Sequence, residues 1–193
     1  MEITTEIIKQ LREMTGVSVM QCKKALEEAD GDLAKAEVIL KKRSAEAAEK
    51  KAERTLKAGI LGSYIHDGAI GAMVIVSCES DFVAKNSEFG ALARELAMQV
   101  TATDPRYVTT DEIPEEAKQA AIAVFEKEVA GKPADMQAKI LEGKLASYFQ
   151  DQVLLEQPYI KDETKKMRDL VNEATQKFGE RIEISRFTRI SLR

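Results

Sequence analysis

The run CESDFVAKN, residues 78–86, sets the acid Asp81 beside the ring of Phe82, shortly after the apolar stretch AMVIV. Two kinds of chemistry suit that pair. In one, Asp81 is the N-cap of a helical turn, its carboxylate accepting a free backbone N–H, and Phe82 folds back into the core. In the other, Phe82 protrudes as a hydrophobic anchor with a charge beside it. Such a ring enters a partner's cleft, and the acid competes there for a metal-bound water or a backbone donor. The segment alone leaves both readings open.

Elsewhere the residue types that perform catalysis are sparse. The one histidine, His66, falls beside the turn residues Asp67 and Gly68. No Ser, His and acid arrangement surrounds it, and no Gly-rich loop resembles a phosphate cradle. Cys22 and Cys78 have no metal-like spacing and fall on apolar positions, where a thiol behaves as a small hydrophobe. The carboxylates interleave with lysines, as on solvated helix faces. A thiol enzyme pairing either cysteine with His66 is the catalytic rival, and it requires one rapidly alkylated thiol. The chain is therefore read as a non-enzyme with no cofactor or metal of its own.

Met20 is the other residue in an unexpected place. At 100° per residue it lies opposite the apolar face of its helix, alongside Lys24 and Glu27, with Lys23 on the flank. It is either a stray exposed hydrophobe or an adaptable contact for a partner, because thioethers pack on irregular surfaces.

These residues need elements to hold them. Ile7, Ile8, Leu11 and Met14 recur at helical spacing up to Thr15-Gly16. Ser18 and Gln21 have the form of a capping box for a second helix, whose face is Val19, Cys22, Ala25, Leu26 and Ala29. Asp30-Gly31 ends it, and Asp32 caps a third helix through Leu33, Ala36, Ile39 and Leu40. The Ala/Glu/Lys-rich stretch that follows reads as a solvated linker helix. From Gly59 the texture becomes β-branched, and Asp67-Gly68 marks a hairpin between GILGSYIH and AIGAMVIVSCE. Phe89, Leu92, Ala93, Leu96, Ala97 and Val100 define an amphipathic helix. A loop leads through Pro114 into a helix ending near Gly131, and another helix follows, interrupted at Gly143. VLLEQPYIKD is extended, with Pro158 at an edge. A helix over 163–178 and a half-exposed strand in RIEISRFTRISL complete the chain. The fold class is α+β: three helices, a linker helix, then a small antiparallel sheet packed with helices.

The composition is that of a globular protein: 193 residues, 44% apolar, 32% charged, net charge −4. No overall basic field draws it to nucleic acid, and the basic run Lys41–Arg43 is soon offset by Glu46, Glu49 and Glu53. The N-terminal stretch has charges within its apolar segment and is not read as a signal peptide. No membrane span is expected, and two unpaired cysteines fit a reducing cytoplasm.

Three separated segments, LREMTGVSVMQCKKALEEADGDLAKAEVIL (11–40), CESDFVAKN (78–86) and LLEQPYIKD (154–162), resemble bacterial elongation factor Ts. The resemblance extends to GSYIHDGAIGAMVIV and the closing strand. It implies guanine-nucleotide exchange on elongation factor Tu, the GTPase that carries aminoacyl-tRNA to the ribosome. It assigns Ser80, Asp81, Phe82 and Val83 to displacement of the GTPase's Mg²⁺, with Phe82 as the wedge. It also assigns partner contacts to Met20 and Lys23, in a ubiquitin-associated-like module at 1–42, and to His66. The linker helix then spans 43–57 and the core, or dimerisation, domain 58–193. Ser80 stands where that family commonly has Thr, and Val17-Ser18-Val19 where it commonly has Ala-Gly-Met. Longer members carry two related sheet subdomains, and this chain has sequence for one, so a homodimer is expected to supply the missing half. An interaction adaptor without exchange activity is the alternative, and it leaves Asp81 and Phe82 without a purpose.

Overall fold

The computed structural model describes residues 3–131 and 133–192. Helix α1 (Thr5–Thr15) starts at Thr4 and stops at Gly16, which adopts the left-handed conformation (φ 66°). Helix α2 (Val19–Glu28) starts at Ser18, whose hydroxyl accepts the Gln21 N–H. The reciprocal half of the expected capping box takes another form, because the Gln21 side chain meets the Ser18 hydroxyl at 3.2 Å. A hydrophobic staple replaces it: Val17 precedes the cap, and Cys22 lies four residues into the helix. Both are buried, and the Cys22 thiol points to the Val17 carbonyl. Val19, assigned to the apolar face from sequence, is 51% exposed, since the staple already fills that end of the core.

Helix α3 (Leu33–Glu49) runs without a break past residue 42. The linker helix expected over 43–57 is thus the second half of α3, followed by turns rather than by more helix. Nor is it wholly solvated. Ser44 is buried against α8 (Met167–Phe178) and bonds to Gln176, while Lys41 pairs with Asp169 at 2.7 Å. The first three helices close around Leu11, Val17, Cys22, Leu26, Ala36 and Leu40.

Strands β1 (Ala58–His66) and β2 (Ile70–Cys78) form the expected hairpin. Asp67 and Gly68 both have positive φ, as a tight primed turn demands, and the Ala69 N–H closes it on the His66 carbonyl. Strand β5 (Glu183–Ser191) adds antiparallel to β2, giving the order β1-β2-β5. Between hairpin and final strand come α4 (Asp81–Ala84), α5 (Ser87–Thr103), α6 (Glu115–Val129), α7 (Ala134–Gln150), β3 (Pro158–Tyr159), β4 (Asp162–Lys166) and α8. Helix α5 covers one sheet face, and Phe89, Leu96, Val74, Val76 and Met167 make the main core there. At Gly62 the α5 backbone comes so close that an added Cβ would lie 2.3 Å from the Ala93 carbonyl oxygen.

Two further expectations change. Helix α7 passes straight through Gly143, around which there is open space, so its missing side chain leaves no packing defect. The helix read over 163–178 begins only at Met167, because 162–166 pair with β3 as a short edge strand. Among the described residues, nothing covers the sheet face away from α5. Leu61, Ile65, Met73, Ile190 and Leu192 are all large, apolar and exposed on it.

Candidate functional site

The central strand β2 ends at Cys78, and after Glu79 and Ser80 the chain enters the helical turn α4. The N-cap of that turn is Ser80, not Asp81: its hydroxyl accepts the Val83 N–H. Asp81 is therefore the first helical residue, where a negative charge suits the helix start. Val83 is buried in the main core and fixes the turn to the body. Phe82 points the other way and is 84% exposed. Of the two conformations open from sequence, the structure has the protruding ring.

The base of the turn is tied to the loop that follows α8. Glu180 accepts the N–H groups of Glu79 and Ser80, each at 3.0 Å, and the Ser80 hydroxyl at 2.5 Å. In return Glu79 accepts the Arg181 N–H at 2.5 Å and pairs with Arg54 at 3.3 Å. That backbone donor, with Arg54 beside it, holds the Glu79 carboxyl below the usual range. Cys78 lies beneath, its thiol donating to the Ser80 carbonyl, and burial together with the Glu180 charge pushes its pKa up. Burial likewise raises Cys22. Neither thiol is poised as a nucleophile.

Met20 is 65% exposed in the first turn of α2, and Lys23, one turn on, makes only a 3.9 Å ion pair with Glu27. Val19, in the same turn, and Met14, near the end of α1, are also at least half exposed. They were missed because their helical phase matches buried positions. The end of α1 and the start of α5 are neighbours through one side chain. Lys177, at the end of α8, reaches Glu88 at the start of α5 at 2.7 Å, while its stem packs against Gly16. His66 is elsewhere, at the hairpin tip. Its Nδ1 lies 3.1 Å from the Tyr64 hydroxyl. The nine residues of β2 put roughly 27 Å between it and Cys78. The structure thus places residues 80–83 at the Cys78 end of β2 and His66 at the opposite, hairpin end of the sheet, while Met20 and Lys23 lie on the outer side of the N-terminal module.

A cavity of ≈ 640 Å³ beside α6 and α7 is lined chiefly by Ile113, Ile122, Leu141, Leu145 and Phe149, and includes neither His66 nor a cysteine. Among the described residues no group of His, Cys, Asp or Glu could hold a metal ion, and no helix is long and apolar enough to cross a membrane.

Comparison with known proteins decides what such a surface belongs to. The family profile described as Elongation factor TS matches residues 2–193. The chain belongs to the elongation factor Ts family. Elongation factor Ts of Thermotoga petrophila is 49% identical over 193 residues, covering 100% of this chain and 97% of that one. The proteins of the same name from Thermodesulfovibrio yellowstonii and Coprothermobacter proteolyticus are 45% and 43% identical, again over 100% of this chain and 97% and 99% of theirs. As a member of the elongation factor Ts family, the chain is a nucleotide-exchange factor for elongation factor Tu and not a catalytic enzyme. The chain matches these relatives in length as a short form, and its described residues make one three-stranded sheet and the two-stranded β3–β4.

Proposed function

We propose that residues Ser80–Val83 are the exchange element, with Phe82 as the wedge and Asp81 as the charge that disturbs the Mg²⁺ of elongation factor Tu. The observation that carries this reading is the 84% exposure of Phe82 on a turn whose other side is anchored in the core by Val83. A free chain does not leave a phenyl ring in water on a well-anchored turn without cost. Burying it in a partner recovers about 1.5–3 kcal/mol. The Mg²⁺ bridges nucleotide phosphates to the GTPase and neutralises their charge, so its loss loosens the nucleotide. Linkage does the rest: a factor that favours the nucleotide-free GTPase weakens nucleotide binding by the same ratio by which nucleotide weakens the factor.

Met20 and Lys23 supply a second contact on the GTPase, and the adaptable, exposed Met side chain, with the exposed Val19 next to it in the chain, supports it. His66 contacts a different part of the partner, in keeping with its distance from the wedge. The three N-terminal helices, with the α3 continuation, act as the docking module, and residues 58–193 as the core. The bare sheet face carrying Leu61, Ile65, Met73, Ile190 and Leu192 favours a homodimer, two copies covering each other there. A strictly monomeric mass with full exchange activity would defeat that part. The activity itself places the protein's work in the cytoplasm, where translation occurs.

The decisive experiment is stopped-flow release of a fluorescent GDP from elongation factor Tu. Wild-type protein is expected to accelerate release strongly, and Phe82→Ala and Asp81→Ala to lose most of that acceleration. Acceleration that survives both substitutions would move the mechanism to other residues. A folded protein that accelerates nothing would favour the adaptor reading instead.

A further inference from the structure

The wedge is held by something other than its own helix. Helix α4 has only four residues, too few to be stable alone, and its cap hydroxyl accepts a single N–H at 3.4 Å. What fixes its start is Glu180, more than ninety residues away in sequence and just beyond the end of α8. One carboxylate oxygen takes the Glu79 and Ser80 N–H groups at 3.0 Å each, and the other takes the Ser80 hydroxyl at 2.5 Å. These are charge-assisted bonds to the two residues that precede Asp81, and both amides would otherwise lack a partner between strand and helix. Orientation by the Ser80 hydroxyl matters too: donating to Glu180 turns its lone pairs toward the Val83 N–H.

We infer that Glu180 is the positioning residue of the exchange element. It never reaches the partner's nucleotide or metal. It sets the direction in which Phe82 leaves the surface, so that the ring is already aimed before contact, and docking spends no free energy on ordering the turn. The 2.5 Å bond from the Arg181 N–H to Glu79 makes the clamp reciprocal, and the Arg54–Glu79 pair joins the segment after α3 to it. Because Glu180 follows Gly179, which ends α8 in the left-handed conformation, its own placement comes from the helix that also receives Ser44 and Lys41.

This inference rests on the wedge reading above, and the test separates the two. GDP release from elongation factor Tu is measured with wild type, Phe82→Ala, Glu180→Ala, Glu180→Asp and Glu180→Gln, alongside amide hydrogen exchange of the free proteins. Glu180→Gln keeps an oxygen for the two amides and is expected to retain most of the acceleration. Glu180→Asp keeps the charge but withdraws it by one methylene and should lose about tenfold. Glu180→Ala should lose about a hundredfold, the scale on which a misplaced reacting group costs rate. Hydrogen exchange at residues 79–83 should quicken in the same order while α5 and the sheet stay protected. In a double variant, Phe82→Ala should mask Glu180→Ala, because a wedge that is gone cannot be misaimed. Wild-type acceleration by Glu180→Ala with Phe82→Ala inactive overturns the positioning role and leaves the wedge standing. Full activity of Phe82→Ala overturns the reading beneath it. If Glu180→Ala does not fold, Glu180→Asp carries the test, and its wild-type behaviour refutes the inference.

Discussion

Phe82 and Val83 are adjacent apolar residues with opposite tasks, and their exposures divide the consequences of mutating them. Val83 is 3% exposed and Phe82 84%. Truncating Phe82 should leave folding stability within about 0.5 kcal/mol of wild type, as for surface substitutions generally, while exchange collapses. Val83→Ala should instead lower stability by about 1 kcal/mol or more, a buried side chain having been cut back. Thermal melts run beside the GDP-release assay separate the two, and a large stability loss in Phe82→Ala would contradict the exposed ring. The sequence named both residues but could not orient them. What orients them is the cap at Ser80 and the bonds from Glu180, a partner one hundred residues away in the chain that no local pattern reveals.

Among the elements, those with a strong local signal were readable and those built by tertiary contact were not. Capping residues and turn glycines announced α1, α2, the start of α3 and the β1–β2 hairpin, and periodicity announced α5. Strand β4 was missed because DETKK is wholly polar: it is an edge strand held by pairing with β3, without a buried face to leave an alternating pattern. The length of α3 was missed because its second half touches α8 through Ser44 and Lys41, residues that read as solvent-facing. Close approach of elements is equally silent in sequence until a glycine marks it. Gly62 is that mark, and Gly62→Ala should cost about 1–3 kcal/mol by forcing α5 off the sheet, seen as a lower urea midpoint. The β3–β4 hairpin is tied on by carboxylates. Burial raises the pKa of Glu95, but bonds from Lys161 and Tyr159 outweigh it and leave the carboxyl below its ordinary value; Glu156 is depressed likewise by Arg168 and Lys166. A depressed folded pKa stabilises above the unfolded value and is lost on protonation. Stability should therefore be flat near neutrality and fall as pH drops below about 4.5. Glu95→Gln should flatten part of that fall in pH-dependent urea melts, and an unchanged slope would remove Glu95 from the account.

For the molecule as a whole, the uncovered sheet face is the feature most directly testable. Met73 pairs across with Thr188 near the middle of that face, with Leu61, Ile65 and Ile190 around it. Met73→Asp should convert a dimer to monomers in sedimentation equilibrium without lowering the monomer's own stability, since the residue is 45% exposed before association. A wild-type protein that sediments as a monomer at micromolar concentration would remove the proposed interface outright.

The unbroken α3 has a consequence of phase. Residues on its first half close the three-helix core, and Lys41 and Ser44, within the next turn, meet α8. A helix transmits rotation as a rigid shaft, about 100° for every residue. One residue inserted between Leu40 and Lys41 would swing Met20 a quarter-turn or more around the body while leaving Phe82 where it is. Both proposed contact surfaces would survive intact, yet no single partner could meet them together. On the two-contact proposal the helix acts as a ruler with an angular scale, and the partner's docking sites must be spaced to match its marks.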